Sequence, residues 1–442
     1  MTRLFGTDGV RGVYGADLTD DLAGALGAAT ARVLRSGGAE RPRIVIGRDT
    51  RASGPALEVA FTDGACAAGA DVMSVGVEPT PAIAFHTAAA DADAGVVVSA
   101  SHNPPEWNGI KLFGRGGRKF PDAMEDAVEA ALGSPGAAVA APGDRVPFPE
   151  AEATYADHVV ACAEAPLRGM RLVVDCANGA ASHVAPLVLG TLGAEVVAIH
   201  DAPDGANINA ACGALHPEVV AAEVLRTGAD AGVAFDGDAD RALFADATGS
   251  VVDGDQVLAA SALAMRDAGR LRGGTVVTTV MANEGFRVAM RDAGIRVVET
   301  AVGDRYVLEA MLAEGATLGG EQSGHVIFLD ESPTGDGLLT AVRFLSLASR
   351  TGRTVADLAA AMARFPQVLV NVPVTDRARL ASSPEVAAAV AAAERALGGG
   401  GRVLVRASGT EQLVRVMVEA ATGDEAERLA ADIARVVRDA LG

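Results

Sequence analysis

Three aspartates that alternate within one short segment carry the most specific chemical signal in this sequence. Asp236, Asp238 and Asp240 lie in AFDGDADRALF, residues 234–244, and an extended backbone would place their side chains on one face. Carboxylates held so close repel one another unless a cation lies among them. Oxygen ligands without a nearby His or Cys favour Mg²⁺ over zinc, and three carboxylates leave room for a phosphate oxygen. The segment therefore predicts a magnesium site.

The residues of this acidic segment allow two other interpretations to be considered. A solvated acidic turn remains open. A calcium loop of the EF-hand type is excluded because strands flank the segment and Ala247 stands where that loop needs glutamate. Arg241, directly after the aspartates, can hold a substrate phosphoryl group or one of the carboxylates.

A serine follows a buried strand in GVVVSASHNPPEWNGIKLF, residues 95–113. The apolar run 96–98 followed by small polar residues predicts a strand that delivers a loop to the edge of a sheet, where open α/β folds bind ligands. Pro104 and Pro105 keep the loop out of a helix and should hold its hydroxyl outward. We predict that Ser101 is the nucleophile; an ordinary surface serine is the alternative.

Two further loops offer groups that bind sugars or phosphate. In GGEQSGH, residues 319–325, Glu321 and Ser323 can hydrogen-bond neighbouring sugar hydroxyls, although a polar turn would look the same. The loop within 405–419 lies between two predicted strands, lacks the lysine of a nucleotide P-loop and forms either an anion nest or a plain hairpin turn. Its candidate phosphate ligands are Arg406, Ser408, Gly409, Thr410 and Arg415.

Three segments share one plan that would position these groups: a strand, a helix, a glycine and a second strand. The paired strands are 43–46 with 71–75, 171–174 with 195–199, and 275–280 with 296–298. Short connections predict parallel pairing with right-handed crossovers, and hence three related α/β domains. Thr19 and Ser53 are the predicted N-caps of the first two helices.

The last part of the chain has a different pattern. From Pro366 an alternating strand, an Ala-rich helix at 384–397, strands at 402–406 and 413–419 and a helix from about 424 predict a small α+β domain. We expect three related α/β domains plus this smaller domain, and a linker at 134–148. The predicted domains are 1–150 with the serine loop, 151–252 with the metal loop, 253–365 with the sugar loop and 366–442 with the phosphate loop.

Composition narrows the class of protein. A net charge of −20 over 442 residues argues against nucleic acid as a partner. No apolar run reaches the length of a membrane span, and the N-terminus lacks a signal peptide, so we expect a cytoplasmic protein with no membrane contact. The four cysteines lie far apart and are expected to be reduced and mostly buried.

Five motifs in sequence order resemble those of the α-D-phosphohexomutases: FGTDGVRG, SASHNP, DGDADR, GGEQSGH and RASGTE. The resemblance covers essentially the whole chain and implies three related α/β domains with mixed sheets plus a smaller C-terminal α+β domain around a central cleft. It implies that Ser101 carries a phosphoryl group and, with the three aspartates, binds one Mg²⁺. It also implies that Glu321 and Ser323 bind sugar hydroxyls, while the 406–415 loop holds the phosphate that is not reacting. Residues implied in proton transfer or phosphate contact are Lys111, Arg11, Arg241, His102 and His325.

The family reaction moves a phosphoryl group between the 1- and 6-positions of a hexose. The resemblance implies a phosphoserine enzyme, a 1,6-bisphosphate of glucosamine or glucose as intermediate and activator, Lys111 as the base, and a monomer or homodimer. Gln322 favours the branch acting on phosphorylated hexosamines, which supplies amino-sugar nucleotides for cell-wall precursors; the glucose or mannose branch is the alternative. Two positions, Gln412 and Trp107, depart from the family pattern.

Rivals from other classes explain fewer of these residues. A phosphatase with Asp236 as nucleophile would leave Ser101 and the second phosphate loop without a role. A sugar-phosphate sensor without catalysis would not need Ser101, Lys111 and all three aspartates together.

Overall fold

The structure, a computed structural model, describes residues 3–6, 8–134, 139, 141–408 and 412–442. The chain divides into two compact units: Met1–Met281 with Ile295–Ala361, and Ala282–Gly294 with Met362–Gly442. The described residues form four sheets, of which the first three are mixed in strand direction or parallel with an antiparallel edge and the fourth is antiparallel. The predicted fold class is therefore confirmed.

The first sheet has the order β1-β5-β4-β2-β3-β7, with β6 paired to β5. Its strands are β1 Val10–Val13, β2 Arg43–Arg48, β3 Asp71–Val77, β4 Ala94–Val98, β5 Trp107–Gly114, β6 Arg118–Lys119 and β7 Arg145–Pro147. Its helices are α1 Asp20–Ser36, α2 Gly54–Ala67, α3 Thr80–Ala89, α4 Asp122–Ala131 and α5 Ala151–Ala161. Alternation along the central strands fills both faces: Ile44 and Ile46 pack towards α1 and α2, whereas Val45 packs towards α3.

The second sheet has the order β12-β11-β10-β8-β9 and the third has the order β14-β13-β15-β16. The second comprises β8 Arg171–Asp175, β9 Glu195–Ile199, β10 Ala231–Phe235, β11 Ala242–Asp246 and β12 Val251–Val252, with α6 Ala181–Thr191 and α7 Pro217–Thr227. The third comprises β13 Thr275–Thr279, β14 Arg296–Thr300, β15 Leu318–Gly320 and β16 Val326–Phe328. The neighbouring helices in the chain are α8 Gly254–Asp267, α9 Glu284–Asp292, α10 Asp304–Glu314, α11 Gly337–Thr351 and α12 Val355–Ala359.

The second unit contains a sheet of order β17-β19-β18 and its own apolar core. Its elements after Ala361 are β17 Gln367–Pro373, α13 Pro384–Leu397, β18 Gly401–Ala407, β19 Leu413–Ala420 and α14 Gly423–Leu441. The helix α9 also belongs to this unit, because Glu419 of β19 accepts hydrogen bonds from Asn283 and the backbone of Glu284.

The three predicted strand pairs are parallel in the structure: β2 with β3, β8 with β9, and β13 with β14. Thr19 caps α1 as predicted, since its hydroxyl accepts from the backbone of Leu22. Ser53 makes no such cap, because its hydroxyl accepts from Asn108 Nδ2 at 2.8 Å instead. A tertiary partner has taken the place of the local bond.

The predicted linker at 134–148 contains a strand, β7, which pairs in parallel with β3. Backbone pairing alone forms this short edge strand, so its residues show no apolar periodicity. Positions 135–138 and 140 of the predicted linker lie outside the described residues. Among the described helices, none is both long and apolar enough to cross a bilayer.

Candidate active site

Ser101 lies just beyond the carboxyl end of β4, and its backbone is left-handed, with a φ of 50°. Its side chain is not turned outward as predicted: the residue is 1% exposed, and its Oγ donates to Asp236 Oδ2 at 2.8 Å. The hydroxyl turns inward because a carboxylate acceptor from the second sheet meets it there. His102 Nδ1 lies 3.3 Å from the same Oγ.

The three aspartates lie in the turn between the antiparallel strands β10 and β11. The backbone there is not extended, since Ala239 has a φ of 54°, so a tight turn and not strand alternation brings the carboxylates together. One carboxylate oxygen from each of Asp236, Asp238 and Asp240 lies within 4.8 Å of the others. The three carboxylates lie together as predicted, but a turn brings them together and not an extended strand.

These carboxylates fit a hard divalent cation. Asp238 Oδ1 and Asp240 Oδ1 are buried without a hydrogen-bond partner among the described residues. Buried carboxylate oxygens without donors are costly unless a cation binds them. The set of oxygen donors, with no thiolate or imidazole in it, suits Mg²⁺.

The carboxylates of Asp236, Asp238 and Asp240 form a buried triad in which like charges repel one another. Burial raises the pKa of Asp236, and the neighbouring Asp240 and Asp238 raise it further. Burial also acts to raise the pKa of Asp240, but His325 and Lys111 outweigh it and hold that pKa well below its usual range. Additional positive charge at this point would therefore stabilise the ionised triad.

Lys111 supplies one of the cations next to the triad. It lies on β5, is 3% exposed, and places Nζ 2.6 Å from Asp238 Oδ2. Thr80, the first residue of α3, donates its hydroxyl to the same oxygen at 2.6 Å. The sequence analysis did not predict this contact of Thr80. A threonine followed by proline is common at the start of helices and gives no sign of a bond to a distant aspartate.

Arg241 and His325 border Asp240. Arg241 Nε lies 3.6 Å from Asp240 Oδ1, and its backbone N–H donates to Asp236 Oδ1 at 3.3 Å. His325 Nδ1 lies 3.6 Å from Asp240 Oδ2. Burial lowers the pKa of His325, but the bond to Asp240 and the charge of Asp304 outweigh it and raise that pKa to about 9. Both cations therefore stand beside the carboxylates.

Arg11 and His102 complete the predicted catalytic set. Arg11 lies on β1, next to β5, where its Nη2 is 3.4 Å from Asp8 and its Nε is buried without a hydrogen-bond partner among the described residues. Burial, together with the charges of Arg241 and Arg11, lowers the pKa of His102. His102 is thus pushed towards its neutral form beside Ser101.

The predicted sugar-binding pair lies in the turn between β15 and β16. Glu321 Oε1 accepts from the backbone of Gly303 at 3.2 Å, and Ser323 Oγ is buried without a hydrogen-bond partner among the described residues. Gln322 Nε2 donates to Asp253 Oδ2, the N-cap of α8, at 3.3 Å. The glutamine that suggested a hexosamine substrate therefore makes a contact within the fold.

The predicted phosphate loop belongs to the second unit. Arg406 on β18 stands directly opposite Arg415 on β19. Burial and the charge of Arg415 lower the pKa of Arg406. Ser408 is buried, and its carbonyl accepts from Arg377 Nη1 at 2.6 Å. Two like charges on facing strands are destabilising, so an anion between them would stabilise the hairpin; Gly409 and Thr410 lie outside the described residues.

The two positions that depart from the family pattern have ordinary roles in the fold. Trp107 begins β5, and its carbonyl accepts from Arg51. The carbonyl of Gln412 accepts from the backbone of Val374. Neither departure removes a group from the triad or from the serine loop.

Comparison with known proteins places the whole chain in one family. Models described as phosphoglucomutase/phosphomannomutase α/β/α domains I, II and III match residues 2–136, 153–249 and 253–365, and the C-terminal domain model matches 369–436. The chain is 56% identical to a phosphoglucosamine mutase from Acidothermus cellulolyticus, over 100% of this chain and 96% of that protein. It is 54% identical to a phosphoglucosamine mutase from Saccharopolyspora erythraea, over 99% of each.

A solved structure supports the same assignment. The phosphoglucomutase/phosphomannomutase family protein from Burkholderia thailandensis superposes with a TM-score of 0.84 at 26% identity, covering 100% of this chain and 98% of that one. With four domain models matched in order and relatives more than half identical over their full length, this chain belongs to the phosphoglucomutase/phosphomannomutase family.

Proposed function

We propose that this enzyme interconverts glucosamine 6-phosphate and glucosamine 1-phosphate through a phosphoserine at position 101. The full-length relatives that are 54–56% identical are phosphoglucosamine mutases, which supports the substrate. The observation that supports the chemistry is the contact between Ser101 Oγ and Asp236 Oδ2 at 2.8 Å. Beside it, Asp238 and Asp240 each have a buried carboxylate oxygen with no hydrogen-bond donor among the described residues. A phosphatase with Asp236 as its nucleophile would not need the contact between the Ser101 hydroxyl and this aspartate.

The reaction proceeds in two balanced transfers. The P–O bond of phosphoserine 101 breaks as the 1-hydroxyl of glucosamine 6-phosphate attacks phosphorus. Lys111, acting in its amine form, takes the hydroxyl proton and passes it to the Ser101 oxygen that leaves. The resulting 1,6-bisphosphate turns end for end while bound. Its 6-phosphoryl group then transfers to Ser101, and the proton returns to the sugar oxygen. Glucosamine 1-phosphate leaves, and the phosphoserine is regenerated.

We assign the metal site to Ser101, Asp236, Asp238 and Asp240, with Mg²⁺ as the ion. When bound, the ion neutralises charge on the transferring phosphoryl group. The chain's own groups supply the rest: we assign the cations Arg11, Arg241 and His325, together with the imidazole of His102 beside Ser101, to the oxygens of the phosphoryl group.

Substrate recognition is assigned to the two remaining loops. Glu321 and Ser323 bind sugar hydroxyls, since the Ser323 hydroxyl is buried without a partner among the described residues. Arg406, Ser408, Gly409, Thr410 and Arg415 bind the phosphate that is not reacting, as the facing arginines favour an anion. A bisphosphate sugar acts as activator by phosphorylating Ser101, and the product serves amino-sugar nucleotide synthesis in the cytoplasm.

Replacing the nucleophile tests the proposal. Ser101→Ala should lose mutase activity and should gain no phosphoryl group, by intact mass, after incubation with glucose 1,6-bisphosphate. Ser182→Ala is the matched control, because its hydroxyl bonds only the carbonyl of Gly179 at the start of α6. Retained turnover in Ser101→Ala would refute the phosphoserine mechanism.

The substrate assignment is tested separately with wild-type enzyme. Turnover of glucosamine, glucose and mannose 6-phosphates is compared at equal concentration, and glucosamine 6-phosphate should give the highest kcat/KM. A higher value for glucose or mannose 6-phosphate would overturn the hexosamine assignment and leave the phosphoserine chemistry intact.

A further inference from the structure

The backbone of Ser101 adopts a conformation that serine rarely occupies by itself. Its φ of 50° is left-handed, and such a conformation persists in a non-glycine residue only where its surroundings enforce it. The Ser101 hydroxyl donates to Asp236, and the other contacts that fix this conformation are made by the peptide groups of the loop, both N–H and carbonyl.

Arg51 contacts this loop with its entire guanidinium group. The residue has no exposed surface, and each of its five side-chain N–H groups has an acceptor. Nε donates to Asp49 Oδ2 at 2.9 Å, Nη1 donates to the carbonyls of Pro104 and of Trp107 (2.9 Å), and Nη2 donates to those of Ser101 (2.9 Å) and Asn103 (2.8 Å). A planar fork of five donors thus fixes four carbonyls of one loop.

Asp49 fixes the position of the Arg51 guanidinium group. Its carboxylate accepts from the backbone of Arg51 at 3.0 Å and from Ser99 Oγ at 2.6 Å. Ser99 Oγ in turn accepts from the backbone N–H of Ser101 at 2.9 Å. Both peptide groups that flank the Ser101 Cα are therefore held by this network.

Asn209 holds the loop from the side of the second sheet. Its Nδ2 donates to the carbonyls of Ser101 at 2.9 Å and Asn103 at 3.2 Å, the same two that Arg51 Nη2 binds. Its own backbone donates to the carbonyl of Ala177 at 2.9 Å. Asparagine tolerates the φ of 58° found at this position better than most residues.

The loop that presents Asn209 is anchored by Asp175 at the end of β8. Asp175 groups with His200 and Cys212 closely enough to suggest a second metal site. Its two oxygens, however, accept hydrogen bonds from the backbone of Ala177 at 3.0 Å and of Gly213 at 2.9 Å. These bonds give Asp175 a structural role in holding the loop, without a metal ion. The anchor fixes the position of the Asn209 amide.

We propose that Arg51 and Asn209 are positioning residues for phosphoryl transfer: together they clamp the Ser101 carbonyl from both sheets and so aim the Ser101 oxygen at the metal-binding triad. This inference rests on the proposed role of Ser101. The nitrogen donors of both side chains are directed at groups of the protein itself. The clamp therefore acts on the rate of transfer, and sugar-phosphate binding depends on other residues.

The experiment compares Arg51→Lys with Arg343→Lys. A lysine ammonium can satisfy at most three acceptors from one point, so at least two of the five bonds are lost. Because a displacement of about 1 Å can cost about a hundredfold in rate, kcat should fall by about that factor while KM changes less than about threefold. Arg343 is a buried arginine paired with Glu164 and Glu331 away from the serine loop, so its conversion should leave kcat within about twofold.

Asn209→Gly gives an independent test if Arg51→Lys folds poorly. Glycine accepts a positive φ, so the change removes the amide donors without straining the backbone. We expect a fall in kcat of about tenfold, and in the double variant the two losses should not multiply, because both side chains hold the same carbonyls. Unchanged kcat in folded Asn209→Gly, or a loss in Arg51→Lys that resides in KM, would overturn the clamp.

A single-turnover measurement separates this inference from the proposed mechanism. Enzyme phosphorylated at Ser101 is mixed with sugar phosphate, and the decay of the phosphoenzyme is followed by intact mass. A slow decay in Arg51→Lys supports the clamp, and wild-type decay in that variant refutes it. If Ser101 in wild-type enzyme takes up no phosphoryl group, the phosphoserine mechanism itself fails.

Discussion

Among individual side chains, the balance of charge around the triad decides what the site can bind. Three buried carboxylates lie within 4.8 Å of one another, and repulsion combined with burial raises the pKa of Asp236. Lys111 compensates Asp238, and His325 with Arg241 compensates Asp240. Among the described residues, the hydrogen-bond donors to Asp236 are a neutral hydroxyl and a backbone N–H. It is therefore the carboxylate whose ionisation most needs a metal ion.

Asp236→Asn should separate the stability of the metal-free protein from its metal response. In a chelator the variant should be at least as stable as wild type, because one repelling charge is gone and an amide can still bond the Ser101 hydroxyl. With Mg²⁺ at a hundred times its Kd, wild type should gain about 2.7 kcal/mol. The variant should gain less than half of that in thermal unfolding.

The control for this variant is Asp246→Asn, which removes a carboxylate from the far end of β11, where it accepts bonds within its own turn. That change should leave the Mg²⁺ response at the wild-type size. An Asp236→Asn protein that Mg²⁺ stabilises as strongly as wild type would contradict the assignment of this carboxylate to the ion.

Local sequence features predict the groups that we assign to the reaction, but not the residues that we infer to position them. Ser101 and the aspartates could be found because each follows a buried strand in a polar, turn-forming segment. Arg51 also follows a strand, yet its targets are carbonyls 50 to 56 positions later, which no side-chain pattern encodes. The turn at Ala239 was missed for a related reason: an alanine with positive φ has no local signature.

At the scale of elements, the two helices that pack against the first sheet, α1 and α2, contact each other closely through their backbones. The helices α1 and α2 meet at glycines: a Cβ on Gly27 would lie 2.0 Å from the Phe61 carbonyl, and one on Gly64 would lie 1.9 Å from the Gly24 carbonyl. The close approach buries Leu26 and Phe61 completely against the first sheet. Periodicity predicts both helices, but their spacing depends on residues that have no side chain.

Gly64→Ala should therefore destabilise the first unit. Because the new methyl group meets backbone atoms that cannot rotate away, we expect a loss of about 2–3 kcal/mol from overpacking, measured by urea unfolding. Gly190→Ala in α6 is the matched control, since its Cβ would meet nothing within 4 Å and alanine favours the helix by about 0.5–1 kcal/mol. Equal midpoints for the two variants would show that the helices tolerate separation.

Strand pairs with a helix between them could be predicted to within a few residues, because alternation and glycine caps mark both ends of each element. The strand β7 was not predicted, since three exposed residues paired only through their backbone carry no hydrophobic pattern. The cap at Ser53 was wrong because Asn108, 55 positions away, competes for the hydroxyl. In both cases contacts distant in sequence overrode local preference.

Across the whole chain, two units with separate cores contain the groups that we assign to chemically different ligands. The first contains the carboxylate triad, and the second has its own buried core of 17 residues and the facing arginines 406 and 415. A protein built of more than one compact unit need not unfold in a single two-state step. Each ligand should then stabilise the unit that binds it, because only the folded state of that unit gains binding free energy.

Calorimetry should therefore resolve two transitions that respond to different ligands. Mg²⁺ should raise the transition of the first unit, and inorganic phosphate should raise that of the second. In Arg415→Gln the response of the second transition to phosphate should disappear, because one of the two facing guanidinium groups is gone. Arg435→Gln on α14, whose side chain is 65% exposed, is the control and should keep that response. If phosphate still stabilises the second unit of Arg415→Gln by the wild-type amount, the facing arginines are not its anion site, because only one of the two guanidinium groups is left to hold the anion.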